Sequence, residues 1–271
     1  MNPENVEKGT RGSYNSNKKY YEMAGVPEYY ASNTKLMKAE EVIFSSLRDE
    51  IKDKPILDIG VGAGRTTPYL KAISENYTGT DYSENMLKVC REKVGDVTLV
   101  LCDAKNMSIF EDEKFAAVFY CFNALDDADP PDRILMLKEI NRVLKKNGIF
   151  VFSSHNFDWE AIPTYSFKGF SFSPNPITLI SDNINRLRVY ASGLLTRLRN
   201  KMGRRTWAFI LEYENFSRMP LPVYYIGKEA QVRQLLDEGF HQVESIGIDG
   251  LPINGEKSVT DPWIYYVCRK V

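Results

Sequence analysis

Three glycines within five residues, Gly60, Gly62 and Gly64, close the apolar run that begins at Pro55 and lead straight into a helical stretch from Arg65. Such a turn lets the main chain reverse sharply and approach a ligand where any Cβ would intrude, and it belongs to a strand that feeds a helix. The rest of the chain keeps the same alternation. Apolar runs at 55–60, 77–80, 97–102, 115–122 and 148–154 are separated by amphipathic stretches at about 65–74, 83–93 and 132–146. That is the pattern of an α/β fold, a doubly wound parallel sheet covered by helices on both faces. The stretch from Asp132 sets Ile134, Leu137, Ile140 and Leu144 on one face, and Lys145, Lys146 and Gly148 are its expected stop.

Residues 1–50 read as a helical cap, with helices at 16–30 and 33–53 and a helix cap at Ser32 or Asn33. Residues 51–155 form the sheet core. The alternation then breaks, and 156–226 reads as an insertion carrying 13 aromatics between Asn156 and Tyr225. Such a segment fits a lid over a ring-bearing acceptor, and equally the small extra core that a long insertion needs. From Asn183 to Thr206 the chain holds seven bases (Arg186, Arg188, Arg197, Arg199, Lys201, Arg204 and Arg205) and no acid, with Leu187, Leu194, Leu195 and Leu198 between them. A solvated basic face balanced by acids elsewhere is the first expectation; contact with a phosphorylated or carrier-linked acceptor, or with a membrane surface, is the alternative. Residues 227–271 complete the core with a helix at 228–238, a stop at Gly239 and strands at 241–248 and 263–269.

Charge decides little at the level of the whole chain. Thirty-five Lys and Arg nearly cancel 36 Asp and Glu, so no global field singles out nucleic acid as a partner. The polar start lacks the apolar core of a secretory signal, and the longest apolar run, Phe115 to Phe122, is far too short to cross a bilayer as a helix. Cys90, Cys102, Cys121 and Cys268 have no CxxC spacing and only two histidines to assist them; buried free thiols in a reducing compartment are expected, and with them a cytoplasmic location. Oligomeric state is not legible.

The chemistry lies at the strand ends. Asp58 stands in the first run, Asp81 closes the second, 17 residues after Gly64, and Asp103 follows the third. Open parallel sheets bind ligands along that carboxyl edge, and an acid at the position of Asp81 can accept both hydroxyls of a ribose. A dinucleotide fingerprint wants glycine where Arg65 stands. An acidic turn beside Asp58 repels phosphate and suits a ligand with positive charge. The adjacent acids Asp126, Asp127 and Asp129, next to Pro130 and Pro131, read as the cap of the following helix in preference to a metal site, and no metal is expected.

With these residues in view the chain resembles a class I S-adenosylmethionine-dependent methyltransferase. Residues 55–64 are similar to the family's first motif, Asp81 to its ribose-binding acid, Asp103 to its acid near the adenine amino group, 118–126 to its fourth motif and 142–153 to its fifth. The resemblance implies S-adenosyl-L-methionine as cofactor and a Rossmann-like, seven-stranded sheet with its last strand antiparallel beneath a helical and aromatic cap. It implies that Gly60, Gly62 and Gly64 lie against the methionine part with Asp58 near its amino group. Tyr82 and Met86 would flank the adenine, Asp103 and Ala104 would read its edge, Phe122 would lie beneath the sulfonium, and Tyr21 would reach the carboxylate. His155, after the fifth strand, is the candidate base or acceptor-orienting residue. The expected reaction is methyl transfer to an oxygen or nitrogen of a small molecule such as a natural product or sugar-like metabolite; a nicotinamide-dependent oxidoreductase and a noncatalytic cofactor-binding module are the rivals.

Overall fold

The computed structural model describes residues 13–162, 170, 172–201, 206–213, 220–253 and 260–271. Its strands are β1 (Ile56–Ile59), β2 (Tyr77–Asp81), β3 (Thr98–Leu101), β4 (Phe115–Tyr120), β5 (Leu144–Asn156), β6 (Trp207–Tyr213), β7 (Pro220–Ile226), β8 (Phe240–Ile246) and β9 (Trp263–Lys270). The helices are α1 (Ser13–Tyr21), α2 (Val26–Ala31), α3 (Lys38–Ile51), α4 (Thr67–Lys71), α5 (Glu84–Val94), α6 (Pro130–Val143), α7 (Pro176–Lys201) and α8 (Lys228–Asp237).

The first five strands run parallel in the order β3-β2-β1-β4-β5. β9 joins β5 antiparallel from Ile149↔Arg269 to His155↔Trp263, and β8 joins β9 antiparallel. These are the seven expected strands with the last one antiparallel. The insertion adds two more: β6 and β7 form an antiparallel ribbon, and β7 runs parallel to the end of β5 through His155↔Tyr225 and Asn156↔Ile226. β5 is therefore forked, with β9 beside most of its length and β7 beside its last two residues.

Alternation along the central strands builds a layer on each face of the sheet. Leu57, Val118, Tyr120, Phe150 and Phe152 point to the side covered by α6 and α8, where Leu137, Ile140 and Leu235 close the core. Ile56, Ala117, Phe119, Ile149 and Val151 point to the other side, against Ala39, Ile43, Phe44, Leu47 and Ile51 of α3. Because the central strands are buried on both faces, they read as continuous apolar runs in the sequence.

Several boundaries differ from expectation. The first helical stretch is split by Gly25 at φ 85, with Val26 and Pro27 opening α2. α3 starts at Lys38, and its first turn is closed by the Glu40 side chain accepting from the Met37 amide at 2.8 Å; Ser32 instead ends α2, its hydroxyl donating to the Tyr29 carbonyl. α6 opens at Pro130 with Asp129 as its cap, accepting from the Asp132 amide, and stops at Val143, because Leu144 is already extended and pairs with Phe115. Of the aromatic and basic insertion residues, Tyr165, Phe167, Arg204, Arg205 and Phe216 lie outside the described residues.

Candidate functional site

The strand order reverses between β1 and β4, and at that switch point a cleft opens beyond the carboxyl ends of β1, β2 and β4. This is where doubly wound sheets bind ligands. Its wall brings together Tyr21, Asp58, Gly60, Gly62, Asp81, Tyr82, Met86 and Phe122, eight of the residues singled out from sequence.

The turn after β1 forms the floor. Gly60, Gly62 and Gly64 all have positive φ, at 62°, 54° and 78°. A Cβ on Gly60 would stand 2.8 Å from the Tyr120 ring, while one on Gly62 would meet only the Gly60 carbonyl at 4.0 Å and would project into open space. That space is the cradle a bound molecule would fill. Gly64 differs, since a Cβ there would strike Cys90 Sγ at 2.9 Å and Val94 at 3.0 Å. It lets the turn pack on α5 and is not part of the cleft wall. Gly62→Ala is therefore expected to keep the fold, at a backbone cost of about 1–2 kcal/mol for the left-handed conformation, while weakening S-adenosylhomocysteine binding at least about tenfold. Gly64→Ala should do the reverse, losing stability first; melting curves and titration calorimetry on the two variants read this directly.

Two buried carboxylates flank the floor. Asp58 accepts from Thr66 Oγ1 at 2.7 Å and from the Tyr77 hydroxyl at 2.8 Å, both on Oδ2. Asp81 accepts from the Gly62 amide at 2.9 Å and from the Ser83 amide at 2.8 Å. Burial pushes both acids up to about 6, against the pull of these hydrogen bonds. Such a pair favours a ligand that brings positive charge and hydroxyl donors, and disfavours a phosphate. The donor set and the open cradle thus fit the adenosine sulfonium named by the resemblance.

The far wall is strained. Phe122 and Asn123, one residue beyond β4, sit at φ 60 and 59, an uncommon conformation for a bulky side chain that clusters at functional sites. Phe122 is 43% exposed and faces the cleft. The Arg65 guanidinium lies 4.8 Å from its ring centre and is held from behind by Glu40, with Nη2 to Oε1 at 2.7 Å. Sequence reasoning used Arg65 only as an argument against a dinucleotide. Its role as the clamp joining the turn, α3 and Phe122 was not visible, because Glu40 belongs to a helix 25 residues earlier.

The roof comes from the N-terminus. Tyr21 makes an edge contact with Tyr82, with centroids 6.2 Å apart. The Asn17 amide donates to Asp127 and to the Pro222 carbonyl, tying α1 to the cleft rim and to β7. Tyr30, Asn33 and Asp127 complete this side.

Besides Gly64, three expected site residues, Asp103, Ala104 and His155, fall outside the cleft wall. The Asp103 carboxylate is 40% exposed and accepts from the Lys105 amide at 2.9 Å, with the Lys105 ammonium at 3.9 Å. Ala104 is packed in the core on the α6 side. β3 is the sheet edge and ends at Leu101, so the turn after it engages this acid locally. His155 stands behind Asn123, not on the wall itself. Its Nδ1 is 2.8 Å from Asp126 Oδ2, its Nε2 is 3.3 Å from Asn123 Nδ2, and its ring lies against Tyr225 with centroids 4.8 Å apart.

Behind His155 lies a buried ionic cluster. Asp126 Oδ1 accepts from Arg133 at 2.6 Å and from Ser154 Oγ at 2.7 Å, while Oδ2 accepts from the His155 amide and ring. Arg133, fully buried, also donates to Gln231, Gln234 and the Leu125 carbonyl and stacks on Tyr224. A carboxylate held opposite Arg133 acts as acceptor toward His155, so the neutral ring carries its proton on Nδ1 and turns the Nε2 lone pair toward Asn123; the tautomer is assigned from these partners.

The chain is similar to several known proteins. A family described as "Methyltransferase domain" matches residues 57–152. A demethylmenaquinone methyltransferase of Staphylococcus aureus (strain MRSA252) is 41% identical over 106 residues, 37% of this chain and 42% of the relative, so the match covers less than half the length of that relative. Among solved structures, an S-adenosylmethionine-dependent methyltransferase from Clostridium acetobutylicum ATCC 824 superposes with a TM-score of 0.60 over 95% of this chain and 98% of its own, at 13% identity. The glycopeptide N-methyltransferase MtfA, solved with S-adenosylmethionine, superposes with a TM-score of 0.54 over 87% of this chain and 94% of its own, at 16% identity. At these identities the structural likeness concerns the fold.

Proposed function

We propose that this chain, whose residues 57–152 match the methyltransferase domain family, is a class I S-adenosylmethionine-dependent methyltransferase that binds its cofactor in the cleft at the β1–β4 switch point and transfers the methyl group to an oxygen or nitrogen of a small molecule. The observation that carries the reading is the pair of buried acids, Asp58 and Asp81, on either side of a glycine floor that leaves room for a ligand. When bound, the cofactor supplies an electrophilic methyl on a cationic sulfur. The protein supplies placement.

In this reading Asp81 accepts from the ribose hydroxyls and Asp58 faces the ammonium group. Tyr82 and Met86 contact the adenine, and Gly60 and Gly62 admit the methionine part. Tyr21 closes over the cofactor from the roof. Phe122, fixed by Arg65 and by its left-handed backbone, excludes water from the side where the acceptor arrives. Holding the two partners in line is itself worth several kcal/mol. Asp103, Ala104 and Gly64 keep only supporting places in this assignment, because they stand outside the wall.

His155 is proposed to receive a proton from a hydroxyl acceptor on Nε2, with Asp126 fixing the tautomer and steadying the charge that forms. Asn123 would have to release Nε2 as the acceptor enters. With a hydroxyl acceptor, His155→Ala is expected to slow turnover by about 10²-fold or more and to flatten the acidic limb of the pH–rate profile, with S-adenosylhomocysteine affinity unchanged. Unchanged turnover across pH would remove His155 from the mechanism.

The direct test combines purified protein, isotopically labelled methyl donor and a metabolite extract, with products read by mass. Formation of a labelled product together with S-adenosylhomocysteine supports the assignment. Calorimetric binding of NAD and none of S-adenosylhomocysteine would overturn it in favour of a nicotinamide enzyme; cofactor binding with no labelled product from any extract would favour a noncatalytic module.

A further inference from the structure

α7 is amphipathic in the unusual sense. Asp182 and Val189 are buried, and the helix packs on β6 and β7. Its outer face is apolar: Ile177, Ile180, Ile184, Leu187, Leu194 and Leu198 recur three, four or seven residues apart and are between 40% and 79% exposed. Phe172, just before the helix, is 96% exposed. A stripe this long turned to water is not the surface of an ordinary soluble helix, which presents its polar side outward.

Charge identifies the occupant. The exposed base Arg188 borders the stripe, the segment from Asn183 to Thr206 carries seven bases and no acid, and the one acid of the helix, Asp182, is buried on the opposite side. A second copy of the same helix would set bases against bases, since the helix has no acid other than the buried Asp182 to answer them. An apolar face bordered by an exposed base, in a segment that is rich in bases and has no acid, instead fits an interfacial helix, which sinks its leucines to the acyl boundary and leaves its bases among anionic headgroups. Among the described residues no helix is long and apolar enough to cross a membrane; this one has the character of a helix that lies along the surface.

We propose that the outer face of α7 docks the protein on a bilayer carrying anionic lipid. The ribbon under α7 is the one that meets the end of β5 at His155 and Asn156, so docking would turn the acceptor side of the molecule toward the lipid. The proposal does not depend on the methyl-transfer reading, since vesicle binding is measured without cofactor.

The test uses the full chain in flotation assays with phosphatidylcholine vesicles, with and without phosphatidylglycerol. The protein is expected to float with the anionic vesicles and to be released by salt. Leu187→Gln with Leu194→Gln should weaken that binding at least about tenfold, and Arg188→Gln several-fold, at about 1 kcal/mol per base near the surface. Far-UV circular dichroism and S-adenosylhomocysteine titration of the variants check that the fold is intact. Failure to float with either vesicle, equal binding to neutral and anionic vesicles, or a concentration-dependent dimer that the leucine variant dissolves would each overturn the proposal, the last by showing that a second copy covers the stripe.

Discussion

Replacing Arg133 with alanine is expected to produce the largest loss of stability of any single change in this protein. The guanidinium is fully buried and holds Asp126, Ser154, Gln231, Gln234 and the Leu125 carbonyl together. Its removal leaves the Asp126 carboxylate without its cation at 0% exposure. Breaking a buried pair from one side costs about 3–5 kcal/mol, which for a chain of this size lowers the melting temperature by on the order of 10 °C. Urea unfolding should show a fall in midpoint with an unchanged slope. Arg133→Met combined with Asp126→Asn should recover part of the loss, because the neutral amide no longer needs a cation. If Arg133→Ala unfolds at the wild-type midpoint, the cluster is not an organising element of the fold. The same cluster sets the His155 ring, so the double variant, though more stable than Arg133→Ala, should turn over a hydroxyl acceptor more slowly than the wild type.

Asp81→Asn should give the largest loss of cofactor binding. If Asp81 accepts two ribose hydroxyls, each charged hydrogen bond contributes about 1.5–3 kcal/mol, so S-adenosylhomocysteine affinity should fall by about 10²-fold or more. Some stability should go too, because the carboxylate also holds the Gly62 and Ser83 amides. The pH dependence follows from burial, which raises Asp58 and Asp81 from the ordinary carboxylate value to about 6. Between about pH 4 and pH 6 the folded chain binds more protons at these sites than the unfolded chain does. Each acid therefore contributes stability below about pH 4 that is lost as pH rises through about 6. Ligand binding runs in the opposite sense, because a cation and hydroxyl donors select the ionised forms. Affinity should strengthen as pH rises from about 5 to about 7 and then level off, and Asp81→Asn should make that rise shallower. A pH-independent affinity in the wild type would remove both carboxylates from the binding site.

The parts that were legible from sequence were those in which local chain chemistry and tertiary position coincide. Central parallel strands are buried on both faces, so Ile56–Ile59 and Phe115–Tyr120 appear as plain apolar runs. The glycine floor and the acid at the end of β2 have fixed chain distances, and the structure brings both to one cleft. Helix ends were less legible, because they depend on distant partners. α6 gives way to β5 at Leu144, before the lysines and glycine that looked like its stop, since Phe115 is there to pair with it. The same limit applies to the site. Glu40 behind Arg65 and Asn17 against Asp127 are contacts across 25 and 110 residues, and no local pattern announces them. The left-handed backbone of Phe122 and Asn123 is equally silent in the sequence, which shows only an apolar run ending in a polar residue. Asp103 illustrates the converse: its position after β3 was readable, but its engagement by the Lys105 amide was not.

The fork in β5 separates two demands that a catalyst usually has to reconcile. From Ile149 to His155 the strand is secured by β9, and only its last two residues meet the ribbon. Remodelling of β6 and β7 would therefore disturb two rungs of a ladder whose remaining rungs stay in place. The ribbon can therefore be rewritten with little loss of sheet, provided that the places where β7 supports the donor side, the Pro222 carbonyl under Asn17 and Leu221 beside Met86, are kept.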